Sequence, residues 1–102
     1  IVKNDGIISN IPGDAMVEVP AMLTGDGPKP FAVGEIPTFY KGLIENQYAY
    51  EKLVVDGYFD QDYNKILQAL TLNRTVTDVN KAKAILDELI EANKGYWPEL
   101  KK

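Results

Sequence analysis

The apolar spacing changes period once, near Ile36, and that change decides what kind of fold the chain can build. Before it, the turn-forming groups Asp5-Gly6, Pro12-Gly13-Asp14 and Gly25-Asp26-Gly27-Pro28 are separated by short apolar runs, the pattern of strands joined by tight loops. The segment from Ala15 to Ala21 alternates, with Val17 and Val19 on one face and Met16 and Glu18 on the other. Pro20 has no N–H to give to a ladder, so this strand is expected at an edge or ends there. Phe31-Ala32-Val33 reads as a second strand and Gly25 to Pro30 as the loop between them, which together make a hairpin.

From Ile36 onward the spacing is helical. Pro37 suits a first helical position, and Phe39, Leu43, Ile44, Gln47, Tyr50 and Val54 follow at intervals of three and four, which predicts one long helix to about Asp56, closed by Asp56-Gly57. Asp60 is the expected cap of a second helix carrying Tyr63, Ile66, Leu67 and Leu70 on one face. Thr77 is the expected cap of a third, with Val79, Ala82, Ile85, Leu86, Leu89 and Ile90 as its apolar stripe; Asn93-Lys94-Gly95 closes it and Pro98 blocks continuation. The fold class is α+β: short N-terminal strands with a hairpin, then three amphipathic helices. A chain of 102 residues buries one modest core, so residues 1–102 read as a single domain or a fragment of one.

What the chain lacks excludes most chemistry. It has no histidine and no cysteine, which removes Ser-His-Asp and Cys-His nucleophilic sites and the commonest zinc ligands. A net charge of -4 and a single arginine, Arg74, disfavour nucleic acid as a partner. No apolar run approaches the roughly 20 residues of a membrane span, so no membrane partner is expected either. The first residues, Ile1-Val2-Lys3-Asn4, carry no methionine and no processing signal and read as an element cut from something longer.

The remaining candidates each have a plainer account. Asp60-Gln61-Asp62-Tyr63-Asn64 resembles the opening of a calcium loop, but Lys65 and Thr71 stand where that loop needs glycine and a bidentate glutamate. The two aspartates are better read as complementing a helix N-terminus. Asn73-Arg74-Thr75 fits a glycosylation acceptor by chance, without a secretion signal. Asp87, Glu88 and Glu91 lie near Lys83 and Lys94 and fit a solvated, ion-paired face better than a metal cluster. The six tyrosines, with Phe39, Phe59 and Trp97, are expected to serve core packing or a subunit interface rather than a ligand platform. Gly25-x-Gly27 is followed by Pro28-Lys29-Pro30, which is no phosphate loop. No catalytic, cofactor-binding or metal residue is therefore assigned from the residues alone.

One long segment carries a resemblance. Asn4-Asp5-Gly6-Ile7-Ile8-Ser9-Asn10-Ile11-Pro12-Gly13-Asp14-Ala15-Met16-Val17-Glu18-Val19-Pro20 resembles the N-x-G-x-I-x-N-L-P-x-D-x-V-V-E-V-P block in the C-terminal part of family 4 glycoside hydrolases. Pro30-Phe31-Ala32-Val33-Gly34-Glu35-Ile36-Pro37 is similar to the same family's P-x-x-V-G-x-I-P. The similarity continues at Glu51-Lys52-Leu53, at Gln68-Ala69-Leu70 and from Ala84 to Asn93. Tyr40-Lys41-Gly42-Leu43 and Tyr96-Trp97-Pro98-Glu99-Leu100 look most like the 6-phospho-α-glucosidase branch. Asp5 departs from the family's usual asparagine, and Gly13 occupies a variable position.

The resemblance implies the C-terminal, substrate-domain portion of a Rossmann, lactate-dehydrogenase-like enzyme whose NAD-binding domain is absent from this chain. It implies NAD and a divalent metal, usually manganese, for the full enzyme; the metal is held by a cysteine and a histidine, an aspartate serves as acid and a tyrosine as base, and all of these positions fall upstream of Ile1. The implied reaction is not a two-carboxylate displacement: it runs through oxidation at sugar C3, elimination of the aglycone, addition of water and return of hydride. The implied partners are the upstream NAD-binding part, further copies in a homo-oligomer, and a phosphorylated disaccharide as substrate; the implied location is the cytoplasm. Asn4, Gly6 and Asn10 match the block that feeds the cleft and are the expected substrate-proximal residues. A stand-alone, non-catalytic interaction module that retains the fold is the rival expectation.

Overall fold

A computed structural model describes all of residues 1–102, which divide into two compact units, Ile1–Glu45 and Asn46–Lys102. The element order is β1 (Val2–Lys3), β2 (Met16–Val17), β3 (Ala21–Thr24), β4 (Gly27–Pro30), α1 (Thr38–Phe59), α2 (Tyr63–Leu72) and α3 (Val79–Ala92). The α+β order of short antiparallel strands followed by three helices is the one expected. No helix is long and apolar enough to cross a membrane.

In the first unit, β1 pairs with β2 through Val2↔Val17 and Lys3↔Met16, and β3 pairs with β4 from Ala21↔Pro30 to Thr24↔Gly27. Both pairs are antiparallel. The hairpin exists, but its parts are displaced from the expected ones. Of the Ala15–Ala21 segment, only Met16 and Val17, which pair with β1, and Ala21, which opens β3, lie in strands, and Phe31–Val33 forms no strand. The segment expected as a loop, Gly25 to Pro30, holds a two-residue turn at Gly25-Asp26 and the whole of β4. The physical reason is register. Pro28 and Pro30 occupy alternate positions and turn their nitrogens away from β3, so neither removes a ladder bond. Ile8, Ile11, Ala15 and Val17 are buried around the fully enclosed Asn4.

In the second unit, α2 and α3 bring Tyr63, Ile66 and Leu86 into one buried cluster, and Leu67, Leu70, Ile90, Trp97 and Leu100 pack against it. Two caps lie one or two residues beyond the expected ones. Asp62, not Asp60, caps α2 by accepting from the Asn64 and Lys65 backbone N–H groups, while Asp60 pairs with the Lys65 ammonium. Asp78, not Thr77, caps α3 by accepting from the Lys81 N–H. Asn93 ends α3 as expected, with Gly95 at φ +90° just beyond it.

The expected stop of α1 at Asp56-Gly57 is overturned, because the helix runs on to Phe59. Gly57 is buried and serves packing rather than termination: a methyl group there would come within 2.6 Å of Ile66 Cγ1 and 3.1 Å of the Ile66 backbone nitrogen. The chain turns instead at Gln61, which takes φ +57°. Residues after α3 close this corner: the Lys101 N–H donates to the Gln61 carbonyl at 2.7 Å, and the Tyr63 N–H donates to the Lys101 carbonyl at 3.0 Å.

Two glycines of one helix should therefore respond in opposite senses. Gly57→Ala is expected to lower unfolding stability by about 1–3 kcal/mol through overpacking against Ile66. Gly42→Ala, where an added Cβ meets nothing within 4 Å, is expected to raise it by up to about 1 kcal/mol. Urea unfolding of the two variants beside the parent checks both signs.

Candidate functional site

The loop between β1 and β2 is built around one side chain. Asn4 is fully buried, and its amide nitrogen donates to the carbonyls of Ile8 and Ile11, both at 2.9 Å, and of Pro12 at 3.2 Å. Its amide oxygen accepts from the Ile8 N–H at 2.7 Å. The Asn4 N–H donates to the Ala15 carbonyl and the Asp5 N–H to the Gly13 carbonyl, so residues 4–15 close on themselves. Asparagine suits this place because one amide supplies both donors and an acceptor within a compact group. Asp5 at φ +41° and Gly6 at φ +89° reverse the chain at the exposed tip, left-handed backbone that asparagine, aspartate and glycine tolerate best. Lys3 neutralises Asp5 across a 2.8 Å ion pair.

Asn10 ties this loop to the segment entering α1. Its amide nitrogen donates to the Ile36 carbonyl and its amide oxygen accepts from the Ile36 N–H, each at 3.0 Å. The Ser9 N–H donates to the Gly34 carbonyl, while the Val33 and Gly34 N–H groups donate to the Ile7 carbonyl. The two blocks singled out in the sequence, around Asn4–Pro20 and Pro30–Pro37, thus meet in one structure. Of the three expected site residues, Asn4 and Asn10 have their side-chain amides committed to backbone partners, and Gly6 stands at the exposed tip. Sequence reading missed Ile36 and Gly34 as the receiving end of this contact. The only signal was Gly34 itself, whose φ of +77° requires the freedom of glycine.

The other motifs have local partners in the structure. Asn73 Oδ1 accepts from both the N–H and the hydroxyl of Thr75, so the glycosylation-like triplet is an Asx turn after α2. Asp87 is paired with the Lys83 ammonium and accepts from the Tyr63 hydroxyl at 2.9 Å, and Glu91 lies 3.6 Å from the Lys94 ammonium. No group of three or more His, Cys, Asp or Glu residues is placed to hold a metal ion. The aromatic residues divide between the two expected roles: Tyr63 is buried and Trp97 packs on the core, while Phe39, Tyr40, Phe59 and Tyr96 are exposed. A recess of about 640 Å³ among Leu53, Leu67, Leu72, Val79 and the polar Asn64, Gln68 and Thr71 carries no titratable group.

Outside the loop, the hydrogen bond to Asp60 raises Lys65, and Tyr63, Lys83 and Asp87 form a second, mutually linked group. The Lys83 ammonium, and after it the Tyr63 hydroxyl, hold the Asp87 carboxyl below its ordinary value. Burial, and then donation to Asp87, raise the Tyr63 hydroxyl. The hydrogen bond to Asp87 raises Lys83. These contacts link α2 to α3.

The family of the loop is settled by its sequence. A model of the family 4 glycosyl hydrolase C-terminal domain matches residues 1–76. The chain belongs to that family. Phospho-alpha-glucosidase PagL of Clostridium acetobutylicum is 58% identical over 98% of this chain, which spans 22% of that relative. Two crystal structures of 6-phospho-alpha-glucosidase from gut microorganisms superpose with a TM-score of 0.91 each, at 53% and 54% identity. Both are covered over 23% of their length by 98% of this chain; one is a complex with NAD and glucose-6-phosphate, the other with NAD and Mn2+. The chain thus spans less than a quarter of the length of these family members.

Asn4→Ala is expected to cost about 3 kcal/mol, since it leaves buried carbonyls and an N–H unpaired, whereas Asn10→Ala, at a half-buried site, costs about 1 kcal/mol. Thermal unfolding checks the ranking. The Asp87 cluster predicts a pH dependence with a definite sign. A depressed carboxyl stabilises the fold above the ordinary carboxylate value, and that contribution disappears as pH falls through the lowered one. The raised Tyr63 and Lys83 contribute below their ordinary values near 10, and that share is lost as pH rises through the raised ones. Asp87→Asn should therefore flatten the acid limb of a plot of Tm against pH.

Proposed function

We propose that this chain is the C-terminal portion of a 6-phospho-α-glucosidase that hydrolyses phosphorylated disaccharides in the cytoplasm with NAD and a divalent metal. The observation that carries the reading is the 58% identity to a phospho-alpha-glucosidase across 98% of the chain. The match with solved 6-phospho-alpha-glucosidases in complex with NAD, glucose-6-phosphate and Mn2+ supports it.

The residues present do not fit either cofactor. With no histidine, no cysteine, no acidic triad and no glycine-rich phosphate loop, nothing in residues 1–102 can hold a catalytic metal or a dinucleotide. Both belong to an upstream NAD-binding part of the same enzyme, and the chain takes no step of the chemistry. Its role is to shape. In this reading the tip at Gly6 borders the substrate cleft, Asn4 fixes the backbone of the tip from within, and Asn10 fixes its position against Ile36. The enzyme acts as a homo-oligomer.

Two measurements test the reading together. The isolated chain, once shown folded by circular dichroism, is expected to give no NAD- and Mn2+-dependent cleavage of a chromogenic 6-phospho-α-glucoside. A chimera in which residues 1–102 replace the matching segment of the Clostridium relative is expected to cleave it at a rate within about tenfold of the parent, a change in activation barrier of about 1.4 kcal/mol. A folded, soluble chimera without turnover would overturn the proposal.

A further inference from the structure

The chain contains three Asp-Gly pairs, Asp5-Gly6, Asp26-Gly27 and Asp56-Gly57, and in no place does asparagine precede glycine. An aspartate followed by glycine is prone to cyclise, because the glycine has no Cβ to hinder its nitrogen and its backbone turns freely. The reaction needs that nitrogen unengaged, and it needs water at the carboxyl. The fold separates the three pairs on both counts. Gly57 is buried inside α1, where the helix ladder takes its N–H, and Asp56 pairs with the Lys52 ammonium at 3.3 Å. Gly27 opens β4. The Phe31 N–H donates to the Pro20 carbonyl at 2.9 Å, and alternation along the register from that pair makes Thr24↔Gly27 a hydrogen-bonded pair, so Thr24 holds the Gly27 N–H. The Thr24 hydroxyl also donates to the Gly27 carbonyl at 2.8 Å. Asp5-Gly6 differs. Its loop is closed by the N–H groups of Asn4, Asp5 and Ile7, and the Gly6 N–H takes no part. The Asp5 side chain is 63% exposed, with Lys3 as its partner. A Cβ added at Gly6 would meet nothing within 4 Å, so the peptide joining the two residues has room to turn.

We propose that Asp5 is a site of spontaneous isomerisation, at which the main chain of the loop tip is rerouted through the Asp5 side chain. The Gly6 nitrogen attacks Cγ of the protonated carboxyl. An N–Cγ bond forms, and the nitrogen's proton and the carboxyl hydroxyl leave together as water, which gives a five-membered succinimide. Water then adds to one of the two ring carbonyls, breaks its bond to the Gly6 nitrogen and returns the proton to that nitrogen. Addition at Cγ restores aspartate, whereas addition at the main-chain carbonyl leaves isoaspartate. Water is the only co-reactant, and the mass of the protein is unchanged. Lys3 is the brake: while its ammonium holds Asp5 at 2.8 Å the carboxyl stays charged, and its carbon is a poor target for the nitrogen. The product carries one more methylene in the main chain between Asn4 and Ile7, spanned by the turn bond from the Ile7 N–H to the Asn4 carbonyl. This chemistry is independent of the enzyme activity proposed above.

The test ages the full-length protein at physiological temperature and neutral pH beside a sample unfolded in guanidinium. Digestion and electron-transfer mass spectrometry then follow isoaspartate at each of the three pairs. The expected result is conversion at Asp5 at least about tenfold faster than at Asp26 and Asp56 in the folded protein, with the three rates within about threefold of one another after unfolding. A smaller ratio in the folded protein overturns the proposal. So does an Asp5 that stays unconverted while the unfolded sample converts, or a preference for Asp5 that survives unfolding, since the fold would then not be its cause. Lys3→Ala is expected to raise the folded-state rate at Asp5 by at least about threefold, while Lys3→Arg leaves it near the parent's. An unchanged rate in Lys3→Ala overturns the role of Lys3 as the brake.

Discussion

One buried amide organises the N-terminal unit. Asn4 accepts the Ile8 N–H and donates to three carbonyls, so the eleven residues between Asn4 and Met16 need no regular structure to be held. Irregular backbone close to a core is costly because its polar groups must find partners. Here a single side chain supplies four of them from the inside. A hydrophobic residue of the same size would fill the space and strand those groups. A charged one would have to be neutralised in an enclosed site, whereas the Lys3–Asp5 ion pair lies at the exposed surface.

The second unit solves a comparable corner by other means. Between α1 and α2 the chain reverses over Asp60 to Asp62, and the reversal is tight because Gly57 lets Ile66 approach the end of α1. Gln61 takes the left-handed conformation without being glycine, a strained choice that persists only where surrounding bonds fix it. Those bonds come from Lys101, which lies far along the chain, and from the Asp62 N–H to the Gly57 carbonyl at 2.9 Å. Trp97 and Leu100 bring the same terminal segment onto the Tyr63, Ile66 and Leu86 cluster. Packing and hydrogen bonding therefore act on one corner from two sides.

Much of this was legible in the sequence, because periodicity is a strong signal and the helices have it. Ile66, Ala82 and Leu86 are buried on the faces their spacing assigned. What failed was local and has local causes. Pro28 and Pro30 suggested a loop because proline disfavours strands, yet alternate prolines can both face outward on an edge, and only the register reveals it. Asp56-Gly57 carried a termination signal, but glycine also permits close helix approach, and tertiary contact decided between the two. Asp60 was the expected cap, but the turn at Gln61 delays the helix, so Asp62 directly after it takes the role. The pairing of Asn10 with Ile36 spans 26 residues, and no periodicity could report it.

The expected site residues carry a different lesson. Asparagine and glycine in a block of a glycoside hydrolase invite a reading as sugar ligands, since amides bind hydroxyl groups well. Yet an amide already holding the backbone on both of its faces has little left to offer a substrate. Asn4 and Asn10 are in that state, and what they present outward is backbone shape, with Asp5, Gly6 and Ser9 exposed. A residue of this kind acts on a site through the position of what it holds. Substituting it moves a loop before it removes a contact.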